Sequence, residues 1–289
     1  MGEKILIVNF GAFGDIINST PIANHYKKTD PNNEIVWVTR KKYHSVLTNN
    51  PNIDSLLFIN EDNLKKYDNV SMTYKTKAFI KRTYSDHRII FPAPYMSETY
   101  DGTPKSTLLD IIKDESSKIS DWKCDFIPNV FLSAEEQAEA NNFFKQVDTN
   151  NKSILLEYES FSNQTPFDFN YITNLCKIIE GCGYNVIFSG LKKPNYYDKL
   201  KNSFDIQFYH YSGSFISNAQ LYNLVDIFIG CCSGLTCLTS SDFCDIDKTR
   251  IEVCRGEHWS SIAWTHNENN KTICYNLESF VAAITREVS

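Results

Sequence analysis

Two glycines and an acid stand close together near the start of the chain, in Asn9-Phe-Gly-Ala-Phe-Gly-Asp15. Gly11 and Gly14 allow a tight turn, and Asp15 follows at once. Ahead of them, Ile5-Leu-Ile-Val8 is an unbroken apolar run, as suits a strand buried on both faces. A helical pattern then continues to Lys27-Lys28. A buried strand that turns through glycines into a helix gathers backbone N–H groups and a carboxylate at the strand's carboxyl end. Open parallel sheets hold their ligands there. This chemistry belongs to an enzyme or a nucleotide binder rather than to a scaffold.

The totals narrow the setting. The 289 residues suit two domains better than one large core. A formal charge of −6 argues against a nucleic-acid partner, which selects for a basic footprint. No apolar run reaches the roughly 18 residues of a membrane span, and the run ended by Asn9 is too short for a signal peptide. Nine cysteines without such a signal read as free thiols of a cytoplasmic protein. Cys231, Cys232, Cys237, Cys244 and Cys254 match no zinc or cluster spacing, so they read as small buried apolar side chains and no metal is expected.

The elements that must position these groups alternate. Strands are predicted at Ile5–Val8, Ile35–Val38, Ser55–Ile59, Asp68–Thr73 and Arg88–Phe91. Helices are predicted at Asp15–Lys28, Lys41–Leu47, Leu108–Lys118 and, opened by a Ser133/Glu136 capping box, to about Val147. Pro21 falls inside the first helix and is expected to bend it. Asp148-Thr-Asn-Asn-Lys152 reads as the linker, and the pattern then restarts. Strands follow at Ile154–Glu157, Tyr184–Ser189, Asp205–Tyr209, Asp226–Gly230 and Arg250–Cys254, with helices at Asn170–Glu180 and Ser217–Leu224. The predicted division is 1–148 and 149–275, with a closing helix over 276–289 that could pack back on the N-terminal domain. Alternating strands and helices imply an α/β protein with parallel sheets.

Ile5-Leu-Ile-Val-Asn-Phe-Gly-Ala-Phe-Gly-Asp-Ile-Ile-Asn-Ser-Thr-Pro21 resembles the opening of the lipopolysaccharide heptosyltransferases, glycosyltransferase family 9. So do Ile35-Val-Trp-Val-Thr-Arg40 and Asn50-Pro-Asn-Ile-Asp54. Ser212 to Gly230, followed by Ser233-Gly234, resembles that family's donor-site region. The resemblance implies a GT-B-like fold, two Rossmann-like domains whose parallel sheets face a central cleft. It also implies metal-independent inverting transfer of heptose or a related sugar from a nucleotide-sugar, ADP-sugar favoured, with no cofactor besides. The acceptor would be a bacterial cell-envelope glycan or glycolipid, met in the cytoplasm or in peripheral contact with the inner membrane.

Inverting transfer needs a base at the acceptor hydroxyl and support for the departing diphosphate. The family's catalytic aspartate falls on Asp15, whose place in a first helical turn favours the ionised carboxylate. A helix-capping role would look the same. Gly11, Ala12, Gly14, Asn18 and Arg40 are the candidate acceptor contacts. Gly190, Lys192, Lys193, Ser233, Gly234 and Thr236 are the candidate nucleotide-sugar contacts, with backbone N–H groups near Ser233 suited to a diphosphate.

Departures fall on the donor side. The family's Asp-Ser/Thr-Gly-x-x-His motif has Cys232 and Cys237 at its outer positions, and Gln164 aligns with a phosphate-binding lysine. Two other readings follow. One is a GT-B-like protein that binds a nucleotide or glycan without catalysis. The other is an NADP-dependent oxidoreductase, although the loop lacks G-x-G-x-x-G spacing and Arg40 stands where NAD enzymes place an acid.

Overall fold

A computed structural model describes residues 2–59, 77–92, 125, 127–159, 167–231, 233–254 and 271–289. The expected strand at 68–73 and helix at 108–118 lie outside them. The chain divides into two compact units, Met1–Phe131 and Leu132–Ser289.

In the first unit β1 (Lys4–Val8), β2 (Glu34–Arg40), β3 (Ser55–Ile59) and β4 (Arg88–Ile90) form a parallel sheet in the order β3-β2-β1-β4. Leu6 and Val8 join Phe10, Val36, Val38, Ile80 and Phe91 in one core cluster. Ile5 and Ile7, pointing the other way, are equally buried. An apolar run without alternation is therefore a strand covered on both faces, as the sequence implied. Helix α1 (Phe13–Thr29) is continuous through Pro21. Proline removes the N–H that Ile17 carbonyl would accept, and the Thr20 hydroxyl donates to that carbonyl instead, at 2.7 Å. The expected helix after β2 is a 3-10 turn, Lys41–Val46.

The second unit opens with α2 (Ala134–Phe144), capped by Ser133 and Glu136 as predicted. Its sheet comprises β5 (Lys152–Glu157), β6 (Tyr184–Ser189), β7 (Gln207–Tyr211), β8 (Ile227–Cys231), β9 (Thr249–Val253) and β10 (Lys271–Cys274). All neighbours are parallel, in the order β10-β9-β8-β5-β6-β7. Its helices are α3 (Phe169–Ile179), α4 (Tyr197–Ser203), α5 (Asn218–Leu224), α6 (Gly234–Leu238) and α7 (Leu277–Val288). Gly181 and Gly183, at φ 76° and 73°, end the segment after α3 in the left-handed conformation that glycine tolerates.

Two boundaries move from their expected places. The domain division lies at Phe131/Leu132, upstream of the expected 148/149. Helix α2 belongs to the second unit because Phe143 packs on Tyr211 at 4.8 Å, Asn141 accepts from Gln220, and Glu139 accepts from Ser214. The polar stretch after it is an internal turn. Asp148 caps Asn150 there and its carbonyl accepts from Asn185. The closing helix α7 buries Phe280, Ala283 and Ile284 in the second unit's own core, with Tyr171 against Phe280 at 5.5 Å. Strand β7 starts two residues late because Asp205 N–H is taken by Glu180.

Candidate active site

Each sheet has one point where the chain reverses its direction of growth. In the first, β1 neighbours both β2 and β4; in the second, β5 neighbours both β6 and β8. The loops leaving the carboxyl ends of such strands part there and leave a crevice for a ligand. Asp15 follows β1, whereas Glu157 ends β5 and Ser233 follows β8. Topology thus supplies one candidate site in each unit.

The first is built around Asn9, fully buried. Its side-chain carbonyl accepts from Gly11 N–H at 2.9 Å. Its amide nitrogen donates to Asp15 carbonyl at 3.0 Å and Ser19 Oγ at 2.9 Å. The turn and the start of α1 are thereby tied to the end of β1. Asp15 Oδ2 accepts the Ala12 N–H at 2.8 Å, half of a capping box. Gly11 lies under the carboxyl group: a Cβ there would stand 2.4 Å from Asp15 Oδ2. The glycine is needed for that close approach, not for an unusual φ. Phe13, packed edge-on against Tyr43 at 4.9 Å, anchors the helix start to the 3-10 turn.

Asp15 differs electrostatically from its sequence expectation. Burial raises the carboxyl above its ordinary value, and the Ala12 N–H only partly offsets this. Desolvation outweighs the helix terminus that was expected to favour ionisation. A raised carboxylate is the stronger base once it has lost its proton. Among the other acceptor-side candidates, Ala12 is exposed, Gly14 is half-buried and Asn18 is enclosed inside α1. Arg40 ends β2 with its Nε buried and unbonded among the described residues.

The second site holds a residue the sequence reading passed over. Glu157 is only 6% exposed and projects from β5 away from the face that carries Ile154, Leu156 and Tyr158. Its Oε1 accepts the Ser233 hydroxyl at 2.5 Å and its Oε2 accepts Cys231 N–H at 3.3 Å. Burial pushes its carboxyl up to about 7 against those donors, and Glu252 on β9 adds like-charge repulsion. Glu252, fully buried, is itself paired with Lys271 at 3.3 Å. An acid ending an apolar strand has no sequence signal of its own, because its partners come from the end of β8 and the turn after it, 74 and 76 residues away.

The remaining donor-side candidates scatter. Ser233 is held by Glu157 and caps Leu235 N–H at 3.0 Å; Gly234 begins α6. Thr236, expected to face a phosphate, donates its hydroxyl to Cys231 carbonyl instead and is buried. Gly190 makes room for the Tyr158 ring, 2.9 Å from where a Cβ would stand. Tyr158 donates to the Lys192 carbonyl, and Lys193 folds over Tyr197 with Nζ 4.8 Å from the ring centroid. Gln164 and Cys232 lie outside the described residues. Among those described, no three His, Cys, Asp or Glu side chains are grouped to hold a metal ion, and no helix is long and apolar enough to cross a membrane.

No protein-family profile matches the chain, and no curated protein sequence does. Solved structures do. A glycosyltransferase of family 9 from Veillonella parvula superposes with a TM-score of 0.68 at 14% identity, over 99% of this chain and 89% of that one. The E. coli heptosyltransferase WaaC with ADP gives 0.67 at 12% identity, over 99% and 98%. E. coli ADP-heptose heptosyltransferase II gives 0.62 at 11% identity, over 99% and 100%. The fold is GT-B. At these identities the likeness establishes the architecture, and chemistry must come from the site. The GT-B assignment places the Asp15 loop in the N-terminal Rossmann-like unit and the Glu157–Ser233 pair in the C-terminal one.

Proposed function

We propose that this protein is a glycosyltransferase that moves heptose or a related sugar from a nucleotide-sugar to a cell-envelope glycan or glycolipid. The observation that carries the reading is Asp15. It is a carboxyl raised by burial, held by Ala12 N–H over a glycine, at the switch point of a GT-B N-terminal sheet. The acceptor hydroxyl would give its proton to the Asp15 carboxylate as its oxygen bonds the anomeric carbon. The bond from that carbon to the diphosphate breaks on the opposite face, so a nucleoside diphosphate leaves and the configuration inverts. In keeping with the family resemblance, no metal ion takes part. Structures of WaaC with ADP and with ADP-2-deoxy-2-fluoro heptose favour an adenine nucleotide.

The test combines binding with turnover. Thermal shift against ADP, UDP, GDP, CDP, CMP and NADP identifies the nucleotide; a ligand at 100 times its Kd stabilises the fold by about 2.7 kcal/mol. Transfer from ADP-heptose to a truncated lipopolysaccharide core is then followed by mass spectrometry and ADP release. Asp15→Asn is expected to abolish transfer while nucleotide affinity stays within about twofold, since a charge-neutral isostere removes the base alone. A response to NADP alone sinks the transferase reading. ADP binding without turnover in the unaltered protein leaves the non-catalytic reading in its place.

A further inference from the structure

The groups a phosphate would seek in the second unit are already held by an acid. The chain reverses direction between β5 and β8, whose carboxyl ends carry the fully buried Cys231 N–H and the half-buried Ser233 hydroxyl. Both donate to Glu157, one to each carboxylate oxygen, and the Cys231 thiol donates to the same carboxyl group. No cation is paired with Glu157 among the described residues. Its surroundings on every packed strand are neutral or acidic: Ser189 is its register partner on β6, Cys231 lies on β8 and Glu252 on β9. The buried cations of β9 and β10 are engaged with other groups. Lys271 pairs with Glu252, and Arg250 donates to Ser240 Oγ at 2.9 Å and Thr239 carbonyl at 3.4 Å.

A carboxylate and a phosphate cannot share two donors in a low-dielectric site without strong repulsion. We propose that Glu157 is a proton-coupled gate for the nucleotide: as a carboxylate it holds Cys231 N–H and Ser233 O–H, and on taking a proton it yields them to a nucleoside diphosphate. The inference rests on the nucleotide-sugar reading and adds a specificity-determining residue to it. The gate is set close to neutrality, because burial brings Glu157 up to about 7. A bound phosphate raises it further, so binding draws a proton from solvent. Affinity therefore falls as pH rises above 7, by about tenfold per unit for one linked proton. The bond changes are limited to that proton: solvent loses it, one Glu157 oxygen gains it, and the freed N–H and O–H turn to phosphate oxygens.

Isothermal titration of the full chain with ADP between pH 6 and 8.5, in two buffers of different ionisation enthalpy, tests this directly. At pH 8 a terminal phosphate, with a pKa near 6, no longer titrates, so protons taken up there come from the protein. The expected result is uptake close to one proton per ADP at pH 8. Glu157→Gln is expected to remove the uptake and to bind ADP at pH 8 about tenfold more tightly than the unaltered protein. No proton uptake by the unaltered protein, with one pH profile for both, overturns the gate and leaves the nucleotide reading standing. Weaker ADP binding by Glu157→Gln at every pH also overturns it, by making Glu157 a direct contact. Absence of binding to ADP, UDP, GDP and CDP in the unaltered protein removes the nucleotide reading and the gate together. Should Glu157→Gln fail to fold by circular dichroism, the uptake measured on the unaltered protein decides alone.

Discussion

At the residue scale, two carboxyl groups are held where burial disfavours their charge, and each leaves a measurable trace. As the proposed base Asp15 must be ionised, and its raised value is expected to move the acid limb of kcat/KM to a pH above that of an ordinary aspartate. A limb at the ordinary position would mean that Asp15 stays solvated during turnover. Gly11→Ala places a methyl group 2.4 Å from Asp15 Oδ2. The carboxyl must move, so transfer is expected to fall at least tenfold, with a folding cost of about 1–3 kcal/mol from overpacking. Steady-state rates with denaturant melts separate the two effects. Glu157 affects stability through the same physics with an explicit sign. Its ordinary value of 4.5 rises to about 7 on folding, so the folded state holds the proton more tightly. That contribution is complete below pH 4.5 and is lost as pH rises through 7, amounting to about 3 kcal/mol. Glu157→Gln should therefore melt higher than the unaltered protein at pH 8, with the gap closing toward pH 5. An equal gap at both pH values would contradict the assignment.

At the element scale, local rules were legible wherever the partner lay within a few residues. The Ser133–Glu136 capping box, the glycine stop at Gly181 and Gly183, and the doubly buried β1 all formed as their residues implied. Helix α1 shows what a local rule misses. Pro21 should disturb it, yet the Thr20 hydroxyl satisfies Ile17 carbonyl and also accepts Asn129 N–H at 2.8 Å, from a residue 109 positions away. Thr20→Val leaves both groups without that partner and is expected to destabilise the fold by about 1–3 kcal/mol. Thr20→Ser keeps the hydroxyl and should recover most of the loss; chemical denaturation of the pair measures it. Elements α4 and β10 had no legible signal. Each is short, and β10 is specified by its pairing with β9.

At the scale of the whole molecule, the division at Phe131/Leu132 makes a prediction of its own. A fragment over 132–289 holds a complete sheet, its core and α2, and is expected to unfold cooperatively. A fragment over 149–289 removes Phe143 from Tyr211 and Glu139 from Ser214. It should melt several degrees lower or aggregate, as follows from losing the aromatic contact and the hydrogen bonds of Glu139 and Asn141, about 0.5–1.5 kcal/mol each. Equal melting temperatures would restore the boundary near residue 148.

The sequence alone determined the class of this protein. Apolar runs, glycine turns and caps act between near neighbours, so the alternation of strand and helix, the loop that presents Asp15 and the two-domain plan could be read directly. Tertiary structure decided what those groups experience. Desolvation overrode the helix terminus at Asp15, because burial depends on which segments cover a site. Pairing β5 beside β8 brought the buried Glu157 within hydrogen-bond reach of Ser233. Packing turned the Thr236 hydroxyl inward and drew α2 into the second unit. Each of these outcomes depends on contacts between distant segments, and residue spacing along a chain carries no measure of that distance.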